Sequence, residues 1–157
     1  MKVYVRGALQ SELSKSRLCR AVEFYAEQLG LSQNLRDKIT LFVRIEKQPI
    51  EGSFVGLCTW LDEQVRPREF SIRLYSEKLS SMLCTLAHEM VHVRQYAKGQ
   101  LRDLITVEDT VVWQGKRMHI DNVSEEYLGQ PWEEEAFSLE KKLSRAFIKR
   151  EKSLGLW

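Results

Sequence analysis

Apolar and polar positions alternate in short runs through the first half of the chain and recur at helical spacing in three longer stretches. Met1–Gly7 is short, apolar and in part β-branched, which predicts a strand. Ser11–Leu29 carries Leu18, Val22, Tyr25 and Leu29 on one helical face and is stopped by Gly30. Over Lys38–Lys47, Leu41, Val43 and Ile45 alternate with Phe42 and Arg44, a strand pattern. Ser53–Leu61 predicts a second strand of this group, apolar on both faces. Arg68–Tyr75 predicts a third, with Phe70, Ile72 and Leu74 against Ser71, Arg73 and Tyr75 and a turn at Arg66-Pro67-Arg68. Ser76–Lys98 reads as a long helix ended by Gly99, and Val107–Ile120 as a hairpin turning at Gly115. Pro131 suits the first position of a last helix reaching about Lys152, and Glu133, Glu134 and Glu135 suit its positive end. The order β-α-β-β-β-α-β-β-α predicts an α+β domain with a mostly antiparallel sheet.

The 157 residues suit one domain with a real core, and with only 3 Pro and 8 Gly no flexible linker stands out. A formal net charge of +2 gives no general case for nucleic-acid binding. No apolar run is long enough to cross a membrane, and the N-terminal residues lack the apolar core of a signal peptide. Cys19, Cys58 and Cys84 are widely spaced, without a Cys-x-x-Cys pair, and read as free thiols of a cytoplasmic protein.

Chemistry concentrates at His88-Glu89-Met90-Val91-His92. Histidines four apart on a helix lie one above the other, so both imidazoles can reach one zinc ion. Glu89 is turned by about 100° from His88, placed to take a proton from a water on the metal without being a ligand. Leu79, Leu83, Leu86, Met90, Val93 and Ala97 form an apolar stripe nearly opposite the histidines. A lone helical histidine is usually a core or surface residue. Here two of only 3 histidines share one face with a carboxylate between them, which favours a metal site.

A catalytic zinc needs a third protein ligand. The candidates are His119, the Glu133–Glu135 cluster, Glu140 and Cys84. On a helical wheel Glu133 falls within the inward stripe of Ala136, Leu143 and Phe147, with Phe137 at its edge. Glu134 and Glu135 point away, and Glu140 faces inward about two turns on. Glu133, in the first turn and next to a loop, is the favoured ligand. Cys84 lies off the metal face and reads as a packed small apolar residue.

His88-Glu89-Met90-Val91-His92 followed by Pro131-Trp132-Glu133-Glu134-Glu135-Ala136 resembles the zincin metallopeptidases whose third ligand is a glutamate on a later helix. The chain looks most similar to small single-domain members, including metallopeptidases of phage and bacterial genomes, SprT-like proteases and ImmA/IrrE-type proteases. The resemblance spans roughly residues 80–137. It implies a zincin-like fold, zinc held by His88, His92 and Glu133, Glu89 as general base, and a peptide or protein substrate. Many relatives place Ala, then Asp or Asn, three and four residues after the ligand glutamate. This chain has Ala136 but Phe137, so the carboxylate that supports a ligand histidine is either missing or supplied from elsewhere, with Glu140 as a candidate. The resemblance also implies a sheet edge, from residues 68–75 or 53–61, that binds extended peptides by strand addition. Tyr127, Tyr96 and His119 are candidate donors to a developing oxyanion. Two other readings are a SprT-like protease acting on DNA-bound proteins and a non-catalytic zinc-holding module. The near-neutral charge weighs against the first, and the presence of Glu89 against the second.

Overall fold

A computed structural model describes residues 1–7, 14–50, 54–75, 78–104, 110–119 and 129–157. Strand β1 (Lys2–Gly7) is followed by helix α1 (Lys15–Gln28), whose Ser14 cap accepts a hydrogen bond from the Arg17 N–H at 3.1 Å. A short helix α2 (Gln33–Asp37), too brief to show a period in the sequence, leads to β2 (Thr40–Ile45). Then come β3 (Gly56–Trp60), β4 (Glu69–Leu74) and the long helix α3 (Leu79–Ala97). Strands β5 (Leu101–Asp103), β6 (Thr110–Trp113) and β7 (Lys116–His119) precede the last helix, α4 (Pro131–Ser153). The hairpin forms where expected, with Gln114 and Gly115 in its turn, and β5 adds an unforeseen third strand to it.

The α+β class holds, but the main sheet is not mostly antiparallel. Its order is β1-β2-β4-β3; β1 pairs with β2 and β2 with β4 in parallel, and only β3 runs antiparallel, against β4. The physical reason lies in the connections. A parallel neighbour needs a long crossover, and α1 supplies one between β1 and β2. Alternation shows which face of a strand is buried and carries no information on the direction of its neighbour.

That alternation is correct in β2 and β4. Leu41, Val43, Ile45, Phe70, Ile72 and Leu74 are buried in one core with residues of α1 and α3. On the other face, Tyr4 and Phe42 stack across the β1–β2 pair at 5.3 Å. Beyond Ala97, α3 ends at Gly99 with φ +70°; the Gln100 N–H returns to the Gln95 carbonyl at 2.8 Å. That left-handed step suits glycine and frees the chain to enter β5.

Helix α4 lies against α3 and α1. Its far end is fixed by Glu151, whose side chain is 2% exposed and takes two hydrogen bonds from Arg20, at 2.9 and 2.6 Å. The Arg20 hydrogen bond holds the Glu151 carboxyl below its usual range, against the opposing effect of burial. Glu151→Gln should cost about 1–3 kcal/mol in denaturant unfolding at neutral pH. The folded-state pKa is depressed, so the stabilisation is full above the unfolded value of about 4.3 and is lost as pH falls through the folded one. The gap between the two proteins should therefore close in acid.

Candidate metal centre

Helix α3 is buried on both its apolar stripe and its histidine face, because α4 covers the latter. The first turn of α4 brings Glu133, 3% exposed, onto the two imidazoles. Its Oε2 lies 3.1 Å from His88 Nε2 and its Oε1 3.3 Å from His92 Nε2, while the two Nε2 atoms are 3.2 Å apart. Among the described residues, His88, His92 and Glu133 form the group able to hold a metal. Three ligand atoms set tetrahedrally at about 2.0–2.1 Å from zinc stand roughly 3.3 Å from one another. The 3.2 Å between the two Nε2 atoms matches that spacing, and each nitrogen has one Glu133 oxygen at a comparable distance.

The hydrogen bonds behind the imidazoles decide what faces the centre. Gln95, fully buried, donates from Nε2 to the Trp132 carbonyl at 3.0 Å and to the Glu135 carboxylate at 2.8 Å. Both partners only accept, so the amide orientation is fixed and its Oε1 must receive the proton of His92 Nδ1, 2.8 Å away. On His88, Nδ1 donates to Glu140 Oε2 at 3.1 Å. With both protons directed backwards, the two Nε2 lone pairs and an ionised carboxylate converge on one point. Such a donor set is stable only around a cation, a proton or a metal ion.

The ionisation of the cluster follows the same logic. Burial works to raise the Glu133 carboxyl, but the hydrogen bonds and charge of His88 and His92 outweigh it and hold the group at about 2. Burial opposes a charge on His92, yet hydrogen bonding and charge from Glu133 raise its pKa overall. Gln95→Leu, which removes the acceptor at His92 Nδ1, should weaken zinc binding by about 10–100-fold in competition with a chelating dye. An unchanged affinity would detach Gln95 from the site.

Glu89, 6% exposed, points not into this triad but toward β3. A hydrogen bond from the Cys58 backbone reaches its carboxylate, and burial pushes its pKa up against the lowering effect of the two histidines. Gly56 is required here by space. A Cβ on it would lie 2.3 Å from Glu89 Oε1 and 2.4 Å from Thr85 Cγ2. The Glu89 carboxylate is thus wedged against an edge strand.

Compared with protein-family models, curated proteins and solved structures, the chain matches none of them.

The other sequence candidates fall into different places. Glu140 supports His88 and is not part of the ligand group. Phe137 sets its ring edge-on to His88 at 4.7 Å, occupying the position where an acidic residue was looked for. Cys84 is half-buried and not simply apolar. Burial, then the charge of Glu140, raises its thiol to about 11, and it hydrogen-bonds with Glu140. Glu135 does not point away; it pairs with Arg94 and with Gln95. His119 ends β7, exposed and outside the group. The Tyr96 hydroxyl donates to Asp103, and Tyr127 lies outside the described residues. Gln95 was missed, although an amide on the histidine side of a helix, three residues after His92, was a usable signal.

Proposed function

We propose that the protein is a zinc-dependent, zincin-like metallopeptidase, with His88, His92 and Glu133 holding the metal and Glu89 as general base. The observation that carries this reading is the convergence of two Nε2 atoms and a carboxylate, with a separate buried carboxylate one residue from the first histidine. A zinc ion bound there supplies Lewis acidity, acidifying a water and polarising a carbonyl. The chain's own groups do the rest. Gln95 and Glu140 hold the imidazole tautomers, Glu89 accepts the proton of the attacking water, and the same carboxyl returns it to the departing amine. A structural zinc site has no use for that fourth group and favours several cysteines.

Of the two segments considered as a peptide-binding edge, residues 69–74 lie inside the sheet, whereas β3 is its edge strand. Glu89 stands at β3, which supports an extended peptide as the substrate. The four helices described include none long and apolar enough to cross a membrane. The test is reconstitution. Purified protein should carry about one zinc and cleave internally quenched peptides; a strong chelator should abolish cleavage and added zinc restore it. Full activity after complete zinc removal would overturn the proposal.

A further inference from the structure

Beyond the metal centre, a cavity of about 200 Å³ opens at the far end of β3. Its walls are Trp60, Val65, Pro67, Tyr96 and Leu104. Trp60 and Tyr96 are held rigidly, because Asp103 accepts from the indole Nε1 at 2.8 Å and from the Tyr96 hydroxyl at 3.2 Å. That spends the Asp103 carboxylate. The remaining charges at the lining, Glu63 and Arg102, are opposite in sign and give no preference for a charged guest. The volume is below the 300–1,000 Å³ usual for whole small-molecule ligands, so it suits one side chain rather than a free metabolite.

The main chain of β3 shows how a side chain would reach it. The Tyr75 N–H donates to the Val55 carbonyl and the Leu61 N–H to the Glu69 carbonyl, both at 2.8 Å. Antiparallel bonding alternates, so Val55, Leu57, Thr59 and Leu61 turn their polar groups toward β4, while Gly56, Cys58 and Trp60 turn theirs outward. The outward N–H of Cys58 is taken by Glu89. Two residues on, about 7 Å along the strand, Trp60 likewise turns its N–H and carbonyl outward, and the same residue lines the cavity.

We infer that this cavity is a specificity subsite that seats a large neutral apolar or aromatic side chain of the peptide, two or three residues from the scissile bond. The peptide backbone pairs with the outward groups of Trp60. The inference rests on the peptidase reading for its substrate, and the test separates the two.

Zinc-loaded Glu89→Gln protein is titrated with a set of decapeptides in which Phe, Gly, Asp or Lys is placed at each position in turn, and binding is read by tryptophan fluorescence. The same peptides, internally quenched, are offered to the wild type. Phe at one position should improve binding and kcat/KM over Gly by about tenfold to a hundredfold. Mapped cleavage should put that position two or three residues from the cut. Val65 is 70% exposed, so Val65→Trp can fill the cavity without disturbing the core, and it should shrink the Phe-over-Gly ratio to within about twofold at an unchanged melting midpoint. Cleavage without a Phe preference, or a preference that Val65→Trp leaves intact, overturns the subsite and leaves the peptidase standing. Phe-selective binding without cleavage keeps the subsite and overturns the peptidase. Neither binding nor cleavage overturns both.

Discussion

Glu89→Gln should retain one zinc per chain and lose about 10²–10⁴-fold in kcat/KM toward any peptide the wild type cleaves. The substitution keeps the size of the side chain and an oxygen for the hydrogen bond from the Cys58 backbone, so the packing of α3 against β3 should survive. What disappears is the buried carboxylate that accepts from the Cys58 backbone and, on this reading, takes the proton of the attacking water. The melting midpoint should stay level or rise, because a carboxylate buried to 6% exposure costs more to bury charged than its amide does. Zinc content, thermal unfolding and steady-state kinetics on one preparation decide the matter. Turnover within about threefold of wild type would remove Glu89 from the chemistry.

Glu133→Ala should have the second large effect, on the metal itself. Behind each imidazole stands a partner whose loss weakens binding by about 10–100-fold, and a group that bonds the ion directly should matter more, so a loss beyond about a hundredfold is expected. Among the described residues, Glu133 is the carboxylate in contact with both Nε2 atoms, at 3.1 and 3.3 Å. Without it the two imidazoles lose the carboxylate that faces both Nε2 atoms. Glu133→Gln should weaken binding nearly as much, since an amide oxygen keeps the shape and lacks the charge. Glu134→Gln, at an exposed position on the same turn, serves as the control. Zinc affinity measured against a chromophoric chelator gives the ranking. Equal affinity of wild type and Glu133→Ala would transfer the third ligand elsewhere and take the assignment with it.

The sequence was most informative where a single helix imposes the geometry. His88 and His92 share a face because they are one turn apart, and the wheel of α4 placed Glu133 and Glu140 inward, where both meet His88. It was silent wherever geometry depends on a second element. Strand alternation identified Leu41, Val43 and Ile45 as buried and could not give the parallel pairing of β2 with β1 and β4. Spacing alone could have placed Gln95 beside His92, but the amide is fixed by the Trp132 carbonyl and Glu135, thirty-seven and forty residues away, which no local pattern announces. Glu135 was misjudged for the same reason. Its position on the wheel is tangential, and Arg94 on the neighbouring helix draws it inward. Gly56 and Phe137 likewise take their meaning from neighbours, the Glu89 carboxylate in one case and the His88 ring in the other.

The acid on α4 lies forty-five residues after the first histidine. As the chain leaves the ribosome, the HExxH helix therefore emerges well before the helix that completes its coordination. Until α4 docks through Arg20 and Glu151, a nascent chain has the two imidazoles without the carboxylate that faces them. Assembly of the three-residue cluster is therefore tied to a packing event between two helices distant in the chain.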